Sequence, residues 1–253
     1  MANDENRKLN REAAKQITQE ESAKILESLY KKSLEGILKI SPPIDVFAKN
    51  YLDKNGDPRS AAKAMLKNQV IKCTTSGFVN GFGGFLTMPI TIPANLTSVL
   101  YIQMRMVACA AYLGGYDLHD DQVQTFVYAC LAGVAVNEIF KKFGAQFGQK
   151  LAVQGIKKIP GQVFTKINQR LGFRFITKFG EKGLINLGKM VPAVGAGING
   201  GFDFIETKAI ASRAYKMFLE GDFSVGEPLS VDDINDINDI VEVQSEETDL
   251  HQI

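Results

Sequence analysis

The sequence predicts an all-α fold, a compact, Gly-rich helical bundle. Apolar residues recur at spacings of three and four over several segments. Cap and breaker residues bracket those segments. No stretch keeps a period of two between hairpin turns. With 253 residues, 45% hydrophobic and 23% charged, the chain carries enough apolar surface for one sizeable core. The expected organisation is a flexible N-terminus over 1–17, a single helical domain over 18–220 and an acidic, mostly disordered tail over 221–253.

The first helix is expected over 18–40. Thr18 and Glu21 form a capping box, and Ile25, Leu26, Leu29, Tyr30, Leu34, Ile37 and Leu38 make one apolar stripe. Pro42 and Pro43 stop it. Ser41 is then placed to cap a second helix with Pro42 at its first position, and Asn55-Gly56 ends that helix. Asp57-Pro58 opens a third, with Ala61, Ala64, Met65 and Ile71 on its apolar face. From Cys73 to Tyr116 there is one charge in 44 residues, Arg105. Pro89, Pro93 and Asn95 interrupt the segment, so no run of about 20 apolar residues remains for a simple membrane span. The expectation is close helix packing, or a re-entrant or membrane-embedded helical pair, with Asn95 capping a helix that runs to about Ala110. Acids at 117–121 open the next helix, whose stripe is Val123, Phe126, Val127, Cys130, Leu131 and Val134, with Gly133 read as a close-packing position. A last amphipathic helix spans 203–220, with Phe204, Ala211, Tyr215 and Phe218 on one face.

Charge is segregated along the chain. Residues 141–190 carry 11 Lys and Arg against one acid, Glu181, whereas 217–253 carry 11 acids and no Lys or Arg. Such asymmetry points to an anionic partner, a self-masking tail, or both. Within the basic block Lys166, Arg170, Arg174, Lys178 and Lys182 recur every four residues. Each step advances about 40° round a helix, so the five form a slowly winding ridge. Phe164, Ile167, Leu171, Phe175 and Phe179 lie beside it, the pattern of an interfacial helix on anionic lipid.

The stretch GFVNGFGGFLTMPITIPANLTSVLYIQMRMVACAAYLGGYDL, together with VPAVGAGINGGFDFIETKAIASRAYKMF, resembles the EcsC family over roughly residues 60–220. The carrying signals are the Gly-rich turn before Pro89-x-x-x-Pro93, Gln103-x-Arg105, the Gly115-Tyr116-Asp117 exit and the Pro192-x-x-Gly195 turn; Asp203 stands where the pattern more often has Asn. The family takes its name from a bacterial gene beside an ABC transporter. The resemblance implies a helical, membrane-associated protein of bacterial type, implies such a transporter as a partner, and supplies no catalytic residues.

Other motifs have weak context. Gly195-x-Gly197-x-x-Gly200 matches a dinucleotide fingerprint, but no βαβ unit surrounds it. Gly183 to Lys189 resembles a phosphate loop, but Met190 replaces the metal-binding hydroxyl. No cofactor and no metal site are expected. With two histidines in the chain, the sole candidate base is His119, beside Asp117, Asp120 and Asp121, where a solvated cap neighbour is the simpler reading. Cys73, Cys109 and Cys130 show no paired spacing, which fits a reducing compartment. The stretch MANDENRKLNREAAK lacks an apolar h-region, so no secretory signal is expected.

Asn95, Gln103, Arg105, Glu138 and Asp203 are the expected buried polar set. Buried charges need partners, and Arg105 is expected to pair with Glu138 or Asp203. Gly83, Gly84, Gly197 and Gly200 are the expected close-packing glycines. The functional expectation is a non-enzymatic accessory protein at the inner face of a membrane, in the cytoplasm, with no nucleic-acid partner. A hydrolase acting on lipid or peptide at that surface is one alternative. A soluble interaction module using the acidic tail, which opposes the basic block in charge, is another.

Overall fold

The computed structural model describes residues 19–74, 94–134, 136–142, 156, 159–179 and 199–223. Among these the chain is all-helical, with no strand: α1 Gln19–Glu35, α2 Ile44–Asn55, α3 Pro58–Thr74, α4 Ala94–Leu113, α5 Asp121–Ala132, α6 Val136–Lys142, α7 Gly161–Phe179 and α8 Asn199–Leu219. The expected fold class is the observed one.

α4 is the axis of the bundle. It packs against α1, α2, α3, α5 and α8. Every residue from Ser98 to Ala111 is consequently buried. A helix apolar on all sides must be enclosed by protein or by lipid, and here five helices enclose it. No described helix is long and apolar enough to cross a membrane. α3 and α8 share the most extensive contact among the described helices, and α7 lies over α5, α1 and α6.

Local chemistry sets the boundaries. Asp120 caps α5, its side chain accepting the Gln122 N–H, and Gly133 ends the helix in the left-handed region at φ 65°. Gly133 therefore acts as the helix terminator, a role beyond the close packing expected from the sequence. Asp57 accepts the Arg59 and Ser60 N–H groups at 2.9 and 3.1 Å, so Pro58 opens α3 as expected. The inward face of α3 is Ala61, Met65, Leu66, Val70 and Cys73, while Ile71 points outward.

Three expectations are corrected at the α1–α2 junction. α1 stops at Glu35 instead of running to residue 40, because Gly36 turns the chain at φ 78°. Ile37 and Leu38 leave the helix; a bridge pairs Ile37 with Ser41, and Leu38 is 86% exposed at the tip of that turn. Pro43, not Ser41, is the N-cap residue of α2 and makes no side-chain cap. Ser41 Oγ instead accepts the Ile37 N–H at 3.1 Å and lies 2.6 Å from the Tyr101 hydroxyl.

The folded unit also continues past its expected end at residue 220. Gly221 is left-handed at φ 72°, the Asp222 N–H donates to the Lys216 carbonyl at 2.9 Å, and Phe223 is 1% exposed. The Phe223 ring stacks edge-on against Phe126 at 4.9 Å. Residues 1–17 and 224–253, for which flexible and disordered character is expected, lie outside the described residues.

Candidate functional site

α7 carries most of the described part of the basic ridge. It follows Pro160, whose carbonyl accepts the Val163 N–H at 2.9 Å. Val163, Phe164, Ile167 and Leu171 are buried, and Phe164 meets Phe126 of α5 edge-on at 5.5 Å. The apolar residues that the sequence places beside the ridge at an interface thus belong, in this half of the helix, to the protein core. Lys166 stands exposed on the outer side, its ammonium donating to Gln169 at 3.2 Å. Arg170, one turn on, donates to the Glu138 carboxylate of α6 at 3.0 Å. Both partners keep substantial solvent contact, so screening makes the pair worth little. Arg174 and Lys178 continue the four-residue spacing within α7, with side chains outside the described set; Lys182 lies outside the described residues.

The buried polar set separates into different environments. Gln103 is buried and donates to the Thr207 hydroxyl of α8 at 2.9 Å. Arg105 is 3% exposed, donates to the Ser33 carbonyl at 2.8 Å and to the Pro42 carbonyl, and lies over the Phe47 ring at 4.5 Å. Burial draws its pKa down, opposed by Tyr101 and Cys109. Arg105 therefore does not pair with Glu138, which is exposed on α6 and engaged with Arg170. Glu138 leaves the buried set. The positions of the Asn95 and Asp203 side chains lie outside the described set, although α4 begins at Ala94, which puts Asn95 inside the helix.

Arg105 works as a clasp. Its two carbonyl partners come from the end of α1 and from the junction before α2, and Tyr101, one turn earlier on α4, holds Ser41 of the same turn. A guanidinium with its fork of donors can join two carbonyls that an ammonium could serve only as a point charge. Lys72 on α3 has its pKa lowered by burial first and by Arg105 second.

His119 is exposed in the turn before α5. Its backbone N–H donates to Asp117 Oδ1 at 2.9 Å, and Asp120 Oδ1 accepts the Gln122 N–H at 2.9 Å. Asp121 is the first residue of α5 and contributes its backbone carbonyl to the Thr125 hydroxyl at 2.9 Å. The carboxylates of Asp117 and Asp120 organise backbone in a solvated turn. Among the described residues no group of three or more His, Cys, Asp and Glu could hold a metal ion. Burial pushes the thiols of Cys109 and Cys130 up to about 12, so neither is poised as a nucleophile.

Gly83, Gly84 and Gly197 lie outside the described residues, and Gly200 sits in the first turn of α8. Close approaches among the described residues are at Gly114, where an added Cβ would collide with the Phe218 backbone carbonyl of α8, and at Gly36, where it would collide with the backbone of Ser41 and Pro42. Besides the carbonyl partners of Arg105, two placements escaped the sequence reading. Glu138 meets the ridge from another helix, which no linear pattern reveals. Phe223 follows the helix-ending Gly221 by two residues, and its only mark in the sequence is an aromatic ring in an otherwise polar stretch.

No family model, curated protein or solved structure matches the chain. Of the segments behind the EcsC resemblance, Gln103-x-Arg105 and Gly115-Tyr116-Asp117 fall on described residues; 77–93 and 192–195 do not.

Proposed function

We propose that the chain is a peripheral membrane accessory protein that docks on anionic lipid through the outward face of α7. The observation that carries this reading is the division of α7. Val163, Phe164, Ile167 and Leu171 are used inward, so Lys166 and Arg170 are left outward with Arg174 and Lys178 at the same spacing. The surrounding block has ten more bases than acids. The mode of contact depends on the buried apolar face. Interfacial helices bind by apolar burial plus charge, and here the first half of the apolar face is already committed to the core. Attachment is then chiefly electrostatic, each base near an anionic surface contributing about 1 kcal/mol.

The EcsC resemblance supports the same setting, the cytoplasmic face of a membrane beside a transporter-type partner, and stands here as part of the proposal. The test is partition onto vesicles. Full-length protein should sediment with phosphatidylserine-containing vesicles at low salt, stay in solution with phosphatidylcholine alone, and be released by salt. Equal binding to both lipids, or preference for a nucleic acid of the same charge density, would overturn the reading.

A further inference from the structure

We propose that the acidic C-terminal segment, residues 224–253, is the intramolecular occupant of the α7 basic face and competes there with anionic lipid. This rests on the reading of α7 as the lipid-docking surface. Phe223 fixes where the segment begins. Its ring and the ring of Phe164 both lie on Phe126, at 4.9 and 5.5 Å. The chain therefore leaves the core within one side chain of α7. Phe223 is fully sequestered and Gly221 turns back at φ 72°, so this exit point is held by packing.

The segment beyond the exit is complementary in charge. Residues 224–253 hold nine Asp and Glu and no Lys or Arg. Asp233, Asp236, Asp239 and Glu242 recur every three residues, and the opposing block has bases recurring every four. Thirty residues can span roughly 100 Å when extended, many times the breadth of one helix. Tethering at Phe223 keeps the acids at an effective concentration in the millimolar range beside α7, so even a weak contact is populated. The α6 side of the same ridge gives a precedent: Glu138 already takes Arg170 at 3.0 Å. A carboxylate thus reaches Arg170 without dislodging the core beneath it.

Two measurements on the full chain test this. Zero-length carbodiimide coupling followed by mass spectrometry should join Lys166 or Lys178 to acids within 224–253 at low salt, and the products should disappear in high salt. The variant Asp233→Asn, Asp236→Asn, Asp239→Asn, Glu242→Gln should lose those products. It should also bind phosphatidylserine vesicles about tenfold tighter at low salt, the effect of releasing one to two bases. Absence of products linking α7 to 224–253, or vesicle affinity unchanged in the variant, overturns the proposal. Cross-links without vesicle binding by either protein would uphold the docking and overturn lipid as the competitor.

Discussion

Replacing Arg105 by Met should cost about 2–4 kcal/mol of folding stability, and the loss should be local to the α1–α2 junction. The Arg105 guanidinium donates to the carbonyls of Ser33 and Pro42. Stranding the buried Ser33 carbonyl costs about 1–3 kcal/mol, and the Pro42 carbonyl, whose bond is only partly buried, adds less. The cation lying over Phe47 at 4.5 Å adds about 1 kcal/mol. Against this, the variant no longer buries a charge, which recovers part of the loss. Met approximates the volume of the aliphatic stem and opens little cavity. Urea denaturation gives the total, and hydrogen exchange gives its location. The amides of Ile37, Ile40 and Ser41, bonded within the turn, should lose protection first. Arg105→Lys should fall between, since one ammonium cannot hold both carbonyls in a fork. Stability within 1 kcal/mol of wild type, or unchanged protection across residues 37–41, would refute the clasp.

Gly114→Ala should destabilise by about 1–3 kcal/mol or more, because the new methyl meets the Phe218 backbone and not a movable side chain; thermal melts check it. Ending the chain after Phe223 should lower the melting temperature by no more than a few degrees, the worth of a weak tail contact, whereas ending it after Glu220 should lower stability by about 3–5 kcal/mol through loss of the buried Phe223 ring. Alkaline pH should weaken the fold. Cys109 and Cys130 are held protonated up to about 12 in the native state, while unfolded thiols release protons near 8.5, so stability falls as pH rises between those values. Each thiol contributes a slope of about 1.4 kcal/mol per pH unit in that window, and a double Cys→Ala variant should show a flatter profile.

Most helices were legible from the sequence because an amphipathic helix buries a stripe, and the stripe is written in residue spacing; the seven-residue α6, too short to show one, was not expected. Val123, Phe126, Val127, Cys130 and Leu131 are buried as their spacing requires. The end of α1 was not legible from spacing, because Ile37 and Leu38 keep the helical period after Gly36 has broken the helix. Periodicity reports apolarity, not backbone conformation. The carbonyl partners of Arg105 were not legible for a related reason. A search for charge partners scans Asp and Glu, whereas every residue carries a carbonyl, and Ser33 and Pro42 supply theirs without any mark in the sequence. The apolar side of α7 shows the limit most clearly. Phe164, Ile167 and Leu171 fit a lipid boundary and a protein core equally well, since both are apolar; only the packing against α5, α1 and α6 distinguishes them. The basic ridge itself was legible as a charge pattern, but Glu138 across from Arg170 was not, because the two are 32 residues apart.

The most direct test of lipid docking through α7 is the charge-reversed protein Arg170→Glu, Arg174→Glu, Lys178→Glu in vesicle sedimentation at low salt. Each residue reversed removes about 1 kcal/mol of attraction and adds repulsion, so binding to phosphatidylserine vesicles should fall by more than about 100-fold. The helical spectrum and melting temperature should stay near wild type, because the buried side of α7 is untouched. Unchanged vesicle binding by a normally folded variant would show that α7 is not the membrane surface.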